Sequence, residues 1–363
     1  MRIGVIGVGI VGASVGWHLA RHGVEVVMID AGQPGEGVTN WTFSWVNASN
    51  KTETREYFEL NVAGMAAHRD LAAALPPGEW WHPSGHMRWF EDPDGAEGLQ
   101  RLVHLLGSWG YDATIWDGER ARRLLEPEVE FPSGNTPVAV FRDEGWVHGR
   151  SLVARLAADA EDLGAELWVR STVVGITLRD GQASQIALTD GRRLEVDGVV
   201  NPAGPAGDRI AALVGRGLPV QDEPGMVARL RCERVPIRRA MHGPHVELRP
   251  DGNDLVAIHS REIDTLIDRD IERQELAMRL RRLAVDVVPA LGTSELVASN
   301  VAARPIPGDG FPSIGAVEGL DGYYEAITHS GITLGIIIGR LLSKEILEGT
   351  VDDRLRPFRP GRF

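Results

Sequence analysis

The 363-residue sequence predicts an α/β chain, α+β overall, in which a βαβ domain on a parallel sheet is interleaved with a second, sheet-rich domain. Three observations lead there. A strand, a glycine turn and a helix follow one another at the N-terminus; similar strand-to-turn-to-helix junctions recur near residues 201 and 329; and the stretches between are rich in short strand-like runs and tryptophan. The length suggests about two domains. No linker or internal repeat separates them, so the two textures are expected to share one cleft.

Arg2–Ile6 reads as a strand, and Gly7-Val8-Gly9-Ile10-Val11-Gly12 follows at once ahead of a helix from Ala13 to His22. Gly23 suits the helix end, and Val24–Ile29 makes a second strand ending in Asp30. Each glycine has a task. Gly7 permits the tight turn, Gly9 lets the backbone approach a pyrophosphate, and Gly12 allows helix and strand to pack closely. The helix start offers free N–H groups and the positive end of its dipole. Asp30, 18 residues after Gly12, is placed to accept from a ribose hydroxyl pair, and its charge would repel a 2′-phosphate. The unit is a Rossmann-like dinucleotide site, and NADP is disfavoured. The glycine turn by itself fits FAD and NAD alike.

Residues 38–47 alternate small polar and aromatic groups, a helix is expected over 53–75, and Pro76-Pro77-Gly78 stops it. Residues 79–147 carry six of the ten tryptophans and a helix around Gly98–Trp109. A further helix runs from Arg150 to Leu163, followed by a strand Leu167–Leu178, a hairpin at Asp180-Gly181, and strand character from Ile186 to Val200. Asn201-Pro202-Ala203-Gly204 then turns into a short helix, Asp208–Val214. Strand patterning resumes over 226–262, and 267–288 reads as an amphipathic helix with a solvated charged face. Ala303–Gly315, with three prolines and three glycines, is expected as a fixed, extended loop. It leads to a strand Tyr323–Thr328, after which His329-Ser330-Gly331 opens a helix running to about Leu347. Segments 1–78, 148–215 and 300–363 are thus assigned to the nucleotide domain, and 79–147 and 216–299 to the second.

Thirty-eight basic and 51 acidic side chains leave a net charge of −13, which disfavours nucleic acid and anionic membranes as partners. The lone Cys232 can form neither an internal disulfide nor a metal cage and is expected to be buried and inert. His242-x-x-His245 lacks a third ligand, so no metal is expected. The apolar run Ile332–Leu342 is too short to span a bilayer and contains Arg340. With no signal peptide apparent, a cytoplasmic protein with a small-molecule partner is expected, and the sequence is compatible with a homo-oligomer.

Four motifs in order carry a family resemblance: Gly7/Gly9/Gly12 with Asp30; Asn201-Pro202-Ala203-Gly204-Pro205; Arg304-Pro305 followed by Pro312-Ser313-Ile314-Gly315; and His329-Ser330-Gly331 with Gly339-Arg340. Over nearly its whole length the chain resembles the FAD-dependent D-amino acid oxidase, glycine oxidase and sarcosine oxidase family. The resemblance implies FAD, held without a covalent bond because residues 306–313 contain no cysteine. It implies cofactor contacts from Gly7, Gly9, Ile10, Val11, Gly12, Asp30 and Ala31. Thr39, Asn40, Thr42, Phe43, Ser44, Trp45 and Val46 would run beside the flavin ring. Val173, Val174, Ala203 and Gly204, then Arg304, His329, Ser330, Gly331, Ile332, Thr333 and Leu334, complete the set.

By the same resemblance the reaction is oxidation of the C–N bond of a small amine or amino acid by hydride transfer to flavin N5. The imine is then hydrolysed, and oxygen or another electron acceptor reoxidises the flavin. Arg304 would clamp the substrate carboxylate, with His329 and His259 as further catalytic candidates. Two rivals stand beside it: oxidation of a 2-hydroxy acid with His259 or His329 as base, and a partner-dependent flavin subunit. The chain departs from the family pattern in three places. The strand His245–Pro250 has no tyrosine to assist Arg304, Ala206 replaces a common aromatic, and Gly335-Ile336-Ile337-Ile338 is an unusually apolar helix start. His242, His245 and His259 could line the pocket in the tyrosine's place or sit on the solvated face of their sheet, and the solvated face is expected; Trp80, Trp81 and Trp89 are expected in core packing.

Overall fold

The computed structural model describes every residue of the chain except Pro77 and Glu79. Strand β1 (Arg2–Ile6) is apolar and buried from Ile3 to Ile6, the pattern of a strand covered on both faces. It pairs in parallel with β2 (Glu25–Ile29) on one side and with Gly198–Asn201 on the other. The full sheet has six strands, in the order Ser313–Ala316, Tyr323–Ile327, Gly198–Asn201, β1, β2, Glu166–Trp168. Only the 313–316 edge runs antiparallel. Helix α1 (Ile10–Arg21) packs against the C-terminal helix Gly331–Glu348 closely enough that a Cβ at Gly339 would lie 2.1 Å from Ser14 Oγ. Glycine is required there by proximity, not by its backbone angle.

The second sheet has eight strands, in the order 295–307, 220–231, 255–259, 247–250, 240–242, 86–88, 137–141, 113–117. Its one parallel contact, between 240–242 and 86–88, is where two distant stretches of chain meet. Helix Arg273–Val287 buries Leu276, Ala277, Leu280 and Ala284 in this sheet's core. A small three-stranded sheet of Trp45–Val46, Gly145–Val147 and Trp81–His82 completes the wall beside it. Among the described residues no helix is long and apolar enough to cross a membrane.

Several expectations are corrected. The extended loop expected over 303–315 is in part the end of a 13-residue strand, Glu295–Pro307, paired antiparallel with Val220–Arg231 with one register shift, at Arg229/Leu230. It lies at the sheet edge, where Pro305 and Pro307 can lack an N–H without breaking a ladder. The boundary expected at 299/300 therefore falls inside a strand of the second sheet. The strand expected over 167–178 is two strands in different sheets, 166–168 and 173–179, separated where Arg170 adopts a left-handed φ of 50°. The amphipathic helix starts at Arg273, six residues later than expected. Helix Arg55–Ala74 ends just before the Pro76-Pro77-Gly78 stop, of which Pro77 lies outside the described residues. Trp80 and Trp89 are buried in the two cores, while Trp81 stacks on the buried His68.

Candidate active site

The glycine turn is closed at Gly12 and open at Gly9. A Cβ at Gly12 would sit 1.8 Å from the Gly7 carbonyl oxygen, whereas one at Gly9 would meet only Thr39 Oγ1, at 3.3 Å. No side chain of the Gly9 N-cap satisfies α1 and no acidic residue occupies its first turn, so its positive end suits an anion beyond the one N–H that Thr39 takes. Thr39 Oγ1 accepts from Ile10 N at 3.1 Å. Asp30 accepts from the backbone N–H groups of Val8 and Gly32, both at 2.7 Å, which fixes the carboxylate at the end of β2 and leaves each oxygen a second lone pair. Gly7 packs on Ala203, and Ala31 is exposed beside Asp30. These features fit a dinucleotide cofactor lying across the carboxyl ends of a parallel sheet. Val174 is half exposed at the start of strand 173–179, and neither it nor Val173 lines the cavity described next.

Residues 39–49 are held from every side. The guanidinium of Arg229 donates to Asn40 O at 2.6 Å, and the fully buried Arg249 donates to Phe43 O. Ser44 stands in the left-handed region at φ 56°, a strained position for a residue with a side chain, and its carbonyl accepts from Val147 N at 3.1 Å. Val46 is fully buried in the small sheet. Thr333 Oγ1 accepts from Asn47 N at 3.2 Å, joining this segment to the start of the C-terminal helix. The most concentrated restraint is Glu144, which is fully buried. It accepts from Trp45 Nε1 at 2.9 Å, Ser49 N at 2.9 Å, Ala48 N at 3.3 Å and Tyr111 OH at 2.8 Å. Burial alone would raise its pKa, but His86 and these donors outweigh it and hold the carboxyl below its usual value.

A cavity of about 810 Å³ opens between this segment, the helix start at 329–333 and the second sheet. Thr42, Phe43, Ser44, Trp45, His259, Arg304, His329, Ser330, Ile332 and Thr333 line it, so ten of the expected site residues converge there from four parts of the chain. Gly331 and Leu334 belong to the same helix start without lining the cavity. That start, like α1, has no side-chain cap and no acidic residue in its first turn. It is anchored by Tyr57 OH to Ser330 Oγ at 2.6 Å and by His68 Nε2 to Ile332 O at 2.8 Å. Burial pushes His68 down to about 4 and Tyr57 up to about 12, so both are neutral here.

At the second-sheet end the charges are paired. His259 stands 2.8 Å from Glu247 through Nδ1 and 2.8 Å from Asp264 through Nε2. Burial would lower its pKa, but the two carboxylates prevail and raise it to about 9, so both ring nitrogens carry protons. Glu247 in turn is drawn well below its usual value by His242 and His259, against its own burial. Arg304 donates to Glu223 at 2.6 Å and to Asp264. Its terminal nitrogen also approaches His259 Nε2 at 2.7 Å, a like-charge contact that Asp264, touching both, neutralises. From His242 the chain of contacts continues through His86, Nδ1 to Nε2 at 2.7 Å, to Glu144 at 3.3 Å. Burial pushes His86 down to about 4, and it is neutral.

His259 and His242 thus line the cavity instead of the solvated face expected for them, because strands 240–242 and 255–259 turn these side chains toward the first domain. His245 is on the solvated face, half exposed between Glu91 and Glu262. His329 opens onto the cavity; enclosure by its walls, then the charges of Lys51, Arg304 and Arg261, push its pKa down. Cys232 is buried in the second core and does not line the cavity. Glu144, Glu247, Asp264 and Lys51 escaped the sequence reading. Each is an ordinary charged residue in its local stretch, and no spacing signal marks it.

A family model described as FAD dependent oxidoreductase, DAO, matches residues 2–345. The chain is 24% identical over 386 residues to the uncharacterized oxidoreductase YurR of Bacillus subtilis, covering 98% of each. It is 24% identical over 367 residues to the glycine oxidase of Geobacillus kaustophilus, covering 98% of this chain and 95% of that one. The crystal structure of glycine oxidase from Geobacillus kaustophilus superposes with a TM-score of 0.88 at 22% identity over 100% of this chain and 99% of that one. That of iminodiacetate oxidase from Chelativorans sp. BNC1 gives 0.83 at 23% identity, covering 99% of each. These likenesses share the fold, with its dinucleotide domain and its substrate-side sheet. The chain belongs to the DAO family of FAD-dependent oxidoreductases.

Proposed function

We propose that the protein oxidises the C–N bond of a small amine or amino acid and releases an imine that water hydrolyses. The flavin, when bound, supplies the hydride acceptor at N5. The uncapped start of α1 would hold the pyrophosphate, Asp30 the ribose hydroxyls, and residues 42–46 with the start of the helix at Gly331 the flavin ring. A helix start directed at the ring favours the negative charge that reduction creates.

The observation that carries this reading is the cavity itself. Its walls are Thr42–Trp45 and Asn47 of the pinned segment with His329, Ser330, Ile332 and Thr333 on one side, and a sheet of ionic side chains on the other. Such a chamber can align a C–H bond with a ring held against its wall, which is most of what hydride transfer asks of a protein. His329, unprotonated at neutral pH, can accept an N–H from the amine, which must be neutral to give up hydride. In the 2-hydroxy acid reading His259, bracketed by two carboxylates and already protonated, has no lone pair with which to act as base, so that reading rests on His329 alone.

The test is an anaerobic visible spectrum of the holoprotein with glycine, sarcosine, iminodiacetate, D-amino acids and 2-hydroxy acids added in turn. Bleaching of the flavin by an amine supports the reading. Bleaching by hydroxy acids alone, or by nothing, overturns it. Readmitting oxygen to the bleached sample separates an oxidase from a dehydrogenase.

A further inference from the structure

We infer that Lys51, and not Arg304, supplies the charge that captures the carboxylate of the substrate. The inference rests on the amine-oxidising reading for the word substrate, but the anion site itself stands on geometry alone.

Four cationic side chains border the cavity, namely Lys51, His259, Arg261 and Arg304. Two of them are already compensated. Arg304 is engaged by Glu223 and Asp264, and His259 by Glu247 and Asp264, so a carboxylate arriving there would meet three carboxylates for two cations. Arg261 sits exposed at the rim. Lys51 is different. Its side chain is only 8% exposed, it borders the cavity, and its ammonium makes no ion pair or hydrogen bond with any described residue. Its ammonium lies over the face of Tyr57, 5.9 Å from Nζ to the ring centroid.

Its position is built. Lys51 N donates to Ala48 O at 3.0 Å, and Ala48 and Ser49 are held by Glu144, so the backbone that carries the lysine is fixed from below. Tyr57, over whose ring the ammonium lies, is tied through its hydroxyl to Ser330 at the start of the C-terminal helix. Beside it Asn47 Oδ1 is buried with no partner and Asn47 borders the same cavity, an acceptor suited to an N–H. An ammonium and an amide oxygen left unpaired on one loop match the carboxylate and the amine of an amino acid. An ammonium on a largely buried side chain with no counter-ion is costly, and a carboxylate entering the cavity would supply the missing charge. Burial brings its pKa to about 8 despite Glu53 and Glu144, with Arg261 acting in the same direction as burial. The remaining titratable neighbours are Tyr57, held neutral, and His329, held unprotonated.

The experiment needs no turnover. FAD-loaded protein is titrated with acetate, and with acetamide as the uncharged control, while the absorbance of the oxidised flavin is followed. Acetate is expected to perturb the spectrum. Its Kd should rise about tenfold per pH unit well above pH 8, as Lys51 loses its proton. Lys51→Met should weaken acetate at least about tenfold and abolish that pH dependence, while Lys51→Arg restores binding and acetamide is unaffected. If Lys51→Met does not retain FAD, Lys51→Gln against Lys51→Arg makes the same comparison. Acetate binding unchanged by loss of Lys51 and lost in Arg304→Gln returns the carboxylate to the arginine and overturns the inference, as does a failure of acetate to bind at all. Acetate binding through Lys51 in a protein that no amine bleaches would instead leave the anion site standing and remove the proposed reaction.

Discussion

At the second-sheet end of the cavity the charges are matched, His259 and Arg304 against Glu247, Asp264 and Glu223, whereas at the other end the largely buried Lys51 makes no ion pair with any described residue. The two ends lie in one chamber, and both are braced by Glu144, through His86 and His242 on one side and the Ala48–Ser49 backbone on the other. The difference separates framework from function. A compensated network fixes a wall and leaves little charge for a ligand, while an uncompensated ion is strained until something binds.

The sharpest way to break that comparison is to remove the brace. Glu144→Ala strands the donors of Trp45, Ser49 and Tyr111 in a buried site and should cost about 3–5 kcal/mol, read by denaturant unfolding. It should also release FAD, because residues 45–49 lose their common anchor. An undiminished stability would mean that the two ends are not coupled through this residue.

Next, the two ends should respond oppositely to pH. The folded pKa of His259, about 9, lies above its ordinary 6.5, so its contribution is complete below pH 6.5 and is lost as pH rises through 9. Lys51 is depressed from 10.5 to about 8, so the folded protein is penalised below pH 8 and relieved between 8 and 10.5. Glu247→Gln should flatten the first slope and cost about 2–3 kcal/mol near neutrality. Lys51→Met should erase the second and gain about 1–2 kcal/mol near neutrality, so unfolding free energies that fall in both variants would sink the contrast. The smallest effect expected is that of Tyr57→Phe, about 1 kcal/mol from the lost bond to Ser330, with a parallel loosening of FAD at the helix start.

Legibility followed the same division. The Gly7–Gly12 turn with its two strands and helix could be read directly, and the strand and helix flanking His329 to within a residue or two. The strand through Arg304 could not. Three prolines and three glycines make Ala303–Gly315 look like a loop, and only the edge position of Glu295–Pro307 allows its prolines to stand in a ladder. Arg304 itself was picked out by its motif, but the carboxylates that occupy it come from residues 223 and 264, in segments that carry no motif.

What the sequence determines alone is therefore what backbone sterics and short-range periodicity determine: the glycine turn, the strands beside it, the two helix starts and, through them, a dinucleotide cofactor, FAD and NAD alike. What the tertiary structure decides is which charges meet. Ser49 and Glu144 are 95 residues apart and Arg304 and Glu223 are 81 apart, and no local pattern couples such pairs. Whether a buried ion is paired depends on the low-dielectric space around it, which exists only once both sheets have closed on the cavity.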